Sequence, residues 1–430
     1  MALVSNFNQH PDEIHHLAAA QYYTNHFFPP AIGDPLVRDS YSGFGVSYLN
    51  YHWAEYFFAG KFMFFAAPIV QSPLVAARFF AVFLFSILAI FFIFRSKRDD
   101  GEFIIPCFLL ITPQIWYVFS YVNNDTFALF VSLVAAAQIV SPKSSLRKFL
   151  EADAFSANIF GGVWFGVLAG LLAIAKPNYW TFLIFAVLWL LLEFPLSART
   201  AKKFAFMLLI ALAVLTFRVS LDFYVNGETN FAGFSYINKF FGNLEQKGKL
   251  LAYQEEIAQY DCKPSTLEND LMNSHKDLKL KEKGLSLTGL FTERQWHKSS
   301  FNSFTGAYGN MNIWASGRYY APMLLLYLAF GFYAAFAVIR GKDAKSLKQF
   351  AVTLLGCFLT IFISVMFSWI YAFQSQGRYL FPVVAMLGVF ICANRRHLNN
   401  LIVHLFFIAA FLLSIYSFIF LGLRMINTVS

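Results

Sequence analysis

Ten long apolar runs constrain this chain more than any other feature. They lie near 74 to 94, 103 to 122, 126 to 141, 158 to 175, 178 to 194, 203 to 225, 318 to 339, 350 to 373, 380 to 393 and 400 to 424. A helix needs about 20 residues to cross a hydrocarbon core. The expected fold is an all-α polytopic membrane protein with about ten transmembrane helices. Two runs, 126 to 141 and 380 to 393, are short enough to be tilted or broken spans. With 58% hydrophobic and 13% charged residues, no soluble class fits.

Orientation follows from the positive charges, because short loops rich in Lys and Arg stay in the cytoplasm. One alternate set of connections carries Arg95, Lys97, Arg98, Lys143, Arg147, Lys148, Arg199, Lys202, Lys203, Arg340, Lys342, Lys345, Lys348, Arg395 and Arg396, whereas the short connections between them carry Lys176 and Arg378. The net charge of +9 is then an insertion signal, with no nucleic-acid partner implied. This split predicts four regions: an outer N-terminal segment (1–73), membrane helices (74–225), one large extracytoplasmic loop (226–317) and C-terminal membrane helices (318–430). The loop balances its acidic and basic residues and reads as a solvated subdomain with helical stretches around 240 to 260 and 266 to 282. Residues 48 to 70, interrupted by His52, Glu55 and Lys61 and ended by Pro68, read as an amphipathic helix lying in the interface. Three cysteines fall in spans and Cys262 in the loop, so no disulfide framework is available.

Charge at a lipid boundary is costly, and a functional role is the default hypothesis for it. The first outer segment carries His10-Pro11-Asp12-Glu13-Ile14-His15-His16. Three readings compete there: a His/carboxylate metal site without an HExxH-like spacing, the opening of a helix with Pro and acids in its first turn, and a carboxylate base. Asp125 in Asn123-Asn124-Asp125-Thr126 is either a helix cap or a site residue. Lys176 is either a snorkelling lysine or a ligand contact. Arg218 stands four residues before Asp222, as a self-neutralising pair or a substrate contact. Arg378, in Gln376-Gly377-Arg378-Tyr379, is placed for bidentate phosphate recognition, beside a glycine that permits close backbone approach. Displacing a phosphate from the anomeric carbon of a lipid-linked sugar needs one base and cations on the leaving phosphate, with no general acid.

Pro11-Asp12-Glu13 with His16, then Tyr48, His52, Tyr56 and Arg78, then Asn124-Asp125, Lys176-Pro177, and Gln376-Gly377-Arg378-Tyr379 before Pro382 resemble the GT-C glycosyltransferases, in the bacterial branch related to protein mannosyltransferases and lipid A aminoarabinose transferases. The resemblance covers most of the chain and rests on the order of short motifs and their shared outer face. It implies a polyprenyl-phosphate sugar donor, a glycan, lipid or protein acceptor, and a multi-pass enzyme of the bacterial inner membrane working on the periplasmic or extracellular side. By resemblance Asp12 is the base with Glu13 as its neighbour and substitute. His16 orients acid or acceptor, Lys176 and Arg378 hold the lipid phosphate, and Asp125 supports the site or a divalent cation, the one cofactor the resemblance allows. Gln376, Tyr379 and Arg218 complete the expected substrate-binding set. The loop around Trp296 and 303–312 resembles a segment that closes over the substrates.

Members of that family carry a transmembrane helix ahead of the acidic loop, whereas nine residues precede His10 here. The resemblance therefore predicts either a late start or a tail translocated by the first span. Two other functions compete: a transporter or channel for an anionic or lipid-linked substrate, and a glycan ligase or polymerase using a diphosphate-linked donor. The absence of a repeat and the gathering of polar residues on one face weigh against transport. Donor type separates the ligase from the transferase.

Overall fold

A computed structural model describes residues 1–51, 53–96, 104–229 and 248–428. His52, Lys97, Arg98 and the start of the stretch expected at 240 to 260 lie outside them. Helices α1 (Glu13–Asn25), α2 (Tyr48–Tyr51) and α3 (Trp53–Ala66) precede α4 (Pro73–Ser96), α5 (Ile104–Cys107), α6 (Pro113–Val118), α7 (Asn124–Val140), α8 (Ser145–Glu151), α9 (Ile159–Ala175), α10 (Trp180–Glu193) and α11 (Ala198–Asn226). After them come α12 (Lys249–Ile257), α13 (Pro264–Asn269), α14 (Leu287–Thr292), α15 (Trp296–Gly306) and a small hairpin of β1 (Ala307–Tyr308) and β2 (Ile313–Trp314). Finally α16 (Gly317–Arg340), α17 (Ala344–Ile370), α18 (Pro382–Ala393) and α19 (Asn400–Tyr416) lead into a π-helical stretch, Ser417–Leu423.

The protein is a mostly helical membrane protein, but ten full spans are not what the chain builds. Among the described residues five helices are long and apolar enough to cross: Pro73–Phe94, Ala198–Asn226, Gly317–Arg340, Ala344–Ile370 and Asn400–Leu423. The pair α7 and α8, bent by 42°, makes a sixth if it is one broken span. Ile159–Ala175, Pro177–Glu193 and Gly377–Ala393 are apolar but shorter. The run expected at 103 to 122 fails for a local reason. Pro106 and Pro113 each remove an amide donor, and the described part is split into α5 and α6, the latter opening with Pro113 behind a Thr112 cap.

Helix α7 is wrapped by other helices. All but one of its residues are buried, against α4, α9, α10 and α18, so its side chains are apolar to suit protein and not lipid. Close packing of α9 on α11 depends on glycine: a Cβ on Gly166 would lie 2.7 Å from Ile210 Cβ, and one on Gly170 2.6 Å from Val214 Cβ. That four-residue spacing lets helix backbones approach in a membrane protein. Helix α3, with 14 residues, packs on α1 and α4 and buries Glu55 and Tyr56 on its inner side while Phe64 and Phe65 face outward.

The segment between α11 and α16 docks on the end of α17. Lys279 and Lys281 donate their backbone N–H groups to Tyr371 and Trp369 carbonyls at 2.9 Å each, and Phe373 N–H donates to Asp277 O at 2.7 Å. The helix expected at 266 to 282 therefore ends early, at Asn269. Its later residues form turns and an isolated bridge from Leu278 to Ala372, and they supply partners to backbone groups at the close of α17, which would otherwise be left unpaired.

Candidate active site

The segment His10 to His16 starts helix α1 and then sends its side chains in different directions. Asp12 stands at the N-cap with φ +56°, a left-handed conformation that Asp tolerates better than most residues. Its carboxylate does not cap the helix; it accepts the Tyr48 hydroxyl at 2.8 Å. Glu13 is buried and gripped by Arg78, whose Nε and second guanidinium nitrogen donate to the two carboxylate oxygens at 2.7 and 2.9 Å. The same guanidinium collects the Ser5 and Asn6 carbonyls. Glu13 therefore anchors the N-terminal segment to α4. His10 bonds Ser5 and Tyr117 and stacks on Tyr121 at 4.6 Å, while His15 bonds the Asp39 carbonyl.

Of the titratable groups in that cluster, Asp12 and His16 are the ones whose electrostatics involve Arg378 together with each other. His16 is buried, its Nδ1 lies 2.6 Å from the Tyr56 hydroxyl, and its ring stacks on Tyr48 at 4.2 Å. Burial pushes its pKa down to about 3, so the ring is neutral at physiological pH. Burial alone would raise the Asp12 carboxyl; the neighbouring His16 and the Arg378 cation, with the Tyr48 hydrogen bond, more than offset it and hold the group below its ordinary value.

Asp125 sits fully buried in the first turn of α7. It is not the cap. Asn123 is, accepting the Asp125 and Thr126 amides at 2.9 and 3.2 Å, which leaves the Asp125 carboxylate to the site. Its Oδ1 pairs with Lys176 Nζ at 2.5 Å, and its Oδ2 lies 3.6 Å from Arg378 Nε. Lys176 ends α9 with its ammonium 4.8 Å from the Tyr379 ring centre. Burial drives its pKa down to about 8 against the pull of Asp125. Nearby, Glu55 accepts Thr126 Oγ1–H at 2.5 Å and the Phe127 amide at 3.2 Å; burial raises its pKa to about 8.

Arg378 is oriented by Gln376, which accepts from its Nε at 2.6 Å, and by the Tyr121 hydroxyl at 3.4 Å. Tyr379 donates its hydroxyl to Gln374. Gly377 does permit a close approach, but to its own chain: a Cβ there would lie 2.0 Å from Phe304 N, and its amide donates to Ser303 Oγ at 2.6 Å. Pro11, Tyr121, Ser303, Met311, Gln376 and Arg378 line one small pocket. The 303–312 stretch thus reaches the site, whereas Trp296 packs with Leu290 and Val365 and donates to Ser368.

The structure therefore brings together Asp12, His16, Asp125, Lys176, Gln376, Arg378 and Tyr379. It places Glu13 in the Arg78 pair and Arg218 in a separate buried cluster with Asp222 and the Asn50 carbonyl. Sequence reasoning missed Tyr121 and the carboxyl of Glu55 as members. The four-residue spacing of Tyr117 and Tyr121 is the signal the sequence carries. Among the described residues no group of three or more His, Cys, Asp and Glu side chains converges to hold a metal ion, and the neighbours of Asp125 are cations, so the residues do not fit the divalent cation that the resemblance allows. An ionised carboxylate opposite two cations and a neutral imidazole suits proton abstraction beside an anionic ligand. No family model, characterised protein or solved structure matches this chain.

Proposed function

We propose that this protein is a membrane glycosyltransferase of the GT-C kind. It transfers a sugar from a polyprenyl-phosphate carrier to a glycan, lipid or protein acceptor, working on the outer face of a bacterial inner membrane. Asp12 removes the acceptor hydroxyl proton, and the oxygen displaces phosphate from the anomeric carbon. Lys176 and Arg378 take up the charge that develops on that phosphate. One observation carries the reading: Lys176 and Arg378 share one buried counter-ion, Asp125, at the start of α7, and an exposed carboxylate, Asp12, lies within the field of Arg378.

The surroundings agree with a lipid-linked donor. An apolar cavity of about 410 Å³ is lined by Leu3, Phe79, Phe85, Trp116 and Phe119. Trp116 and Phe119 alternate along the chain with Tyr117 and Tyr121, which line the pocket shared with Arg378, so one short segment borders both the apolar cavity and the site proposed for the phosphate. Purified protein incubated with labelled polyprenyl-phosphate sugars tests the reading. Label moving to glycan, lipid or protein, and lost in Asp12→Asn, is the expected result; no transfer from any monophosphate donor would overturn it.

A further inference from the structure

His16 is 1% exposed, yet its Nε2 has no hydrogen-bond partner among the described residues. Its other nitrogen meets the hydroxyl of Tyr56, itself fully buried, and that is the one hydrogen bond the hydroxyl makes among the described residues. A buried hydroxyl left with an unused proton is unfavourable, so Tyr56 donates to Nδ1. The neutral ring then carries its proton on Nε2. Stacking on Tyr48, whose hydroxyl donates to Asp12, fixes the ring plane beside that carboxylate, and the charges of Arg378 and Lys176 reach the ring.

We propose that His16 presents a neutral Nε2–H donor to an oxygen of the phosphate bound by Lys176 and Arg378. This rests on the glycosyltransferase reading and adds the third recognition group. Both cations already face Asp125, so a further cation would add repulsion where a neutral donor adds a bond. The predicted ligand is a phosphate ester, with the tautomer set by Tyr56 acting as a positioning residue.

The test uses the full chain in nanodiscs with undecaprenyl phosphate as probe and inorganic phosphate as a second arm. His16→Gln sets an amide N–H₂ near the Nε2 position; His16→Asn sets it near Nδ1. Affinity for undecaprenyl phosphate should stay within about threefold in His16→Gln and fall roughly tenfold to hundredfold in His16→Asn. The same split with inorganic phosphate would assign recognition to the phosphate alone; a split confined to the lipid would assign it to the ester. Equal losses, or no loss in either variant, overturn the role of His16 while wild-type binding keeps the phosphate site. Failure of the wild type to bind either probe removes the phosphate reading itself. Should the variants not fold, ¹⁵N spectra of histidine-labelled wild type decide: a His16 ring protonated on Nδ1 overturns the proposal.

Discussion

Asp12 and Glu13 are adjacent in sequence but have different partners: the exposed Asp12 meets a tyrosine, the buried Glu13 a buried arginine. Their substitutions should separate function from stability. Asp12→Asn removes the base and should lower sugar transfer by about 10²- to 10⁴-fold, with the unfolding midpoint close to that of the wild type. Glu13→Gln leaves Arg78 uncompensated in the interior, and breaking a buried pair costs about 3 to 5 kcal/mol. Thermal unfolding in detergent with activity measured on the surviving fold distinguishes the two; an inactive, fully stable Glu13→Gln would move the base. Arg378→Ala should weaken undecaprenyl-phosphate binding roughly tenfold to hundredfold, the range for a hydrogen bond to a charged group, with a smaller effect on folding.

At the scale of elements, the turn before α18 depends on one missing side chain. Gly377→Ala would drive a methyl into the backbone of α15 at Phe304. Helix α15 and the turn must separate, and Arg378 and Gln376 move with the turn. Lower stability and reduced phosphate affinity should appear together; a variant as stable and as tight as wild type would mean that α15 yields at no cost. In the sequence this glycine looks like a point of ligand approach, because a sequence does not say which backbone will arrive. Helix α7 poses the same difficulty, since an apolar helix wrapped by protein and one wrapped by lipid use the same residues. Local signals were legible: Pro106 and Pro113 stand in the run that splits, and the order of Asp12, Asp125, Lys176 and Arg378 pointed to residues that do converge. Partner choice was not legible, as with Asn123 instead of Asp125 as the cap and Arg78 as the partner of Glu13. It depends on which elements meet in space.

Across the whole molecule, charge is sorted to the two ends of α7 and α10. At one end Asp125 joins Lys176 and Arg378; at the other, Glu193 accepts from Arg147, Lys345 and Gln349 at 3.2, 2.9 and 2.6 Å. The second cluster ties α8, α10 and α17 together, and the first holds the groups proposed to meet the ligand, so the pH response of ligand binding should come from the first. Glu55 has a carboxyl pKa raised from 4.5 to about 8. Between these values the folded chain holds a proton that the unfolded chain has lost, so its contribution to stability falls as pH rises through that window. Glu55→Gln should flatten that part of a plot of unfolding midpoint against pH. Lys176 is lowered from 10.5 to about 8, so its contribution runs the other way, with stability rising between about 8 and 10.5. For phosphate binding the two act together: above about pH 8 Lys176 loses a positive charge and Glu55 gains a negative one. Affinity for undecaprenyl phosphate should therefore drop roughly tenfold between about pH 7.5 and 9, a range in which the probe stays mostly dianionic. Lys176→Arg combined with Glu55→Gln keeps the cation and removes the acid, and should leave the affinity nearly level over that range. A profile in the double variant as steep as in the wild type would place the controlling ionisation elsewhere.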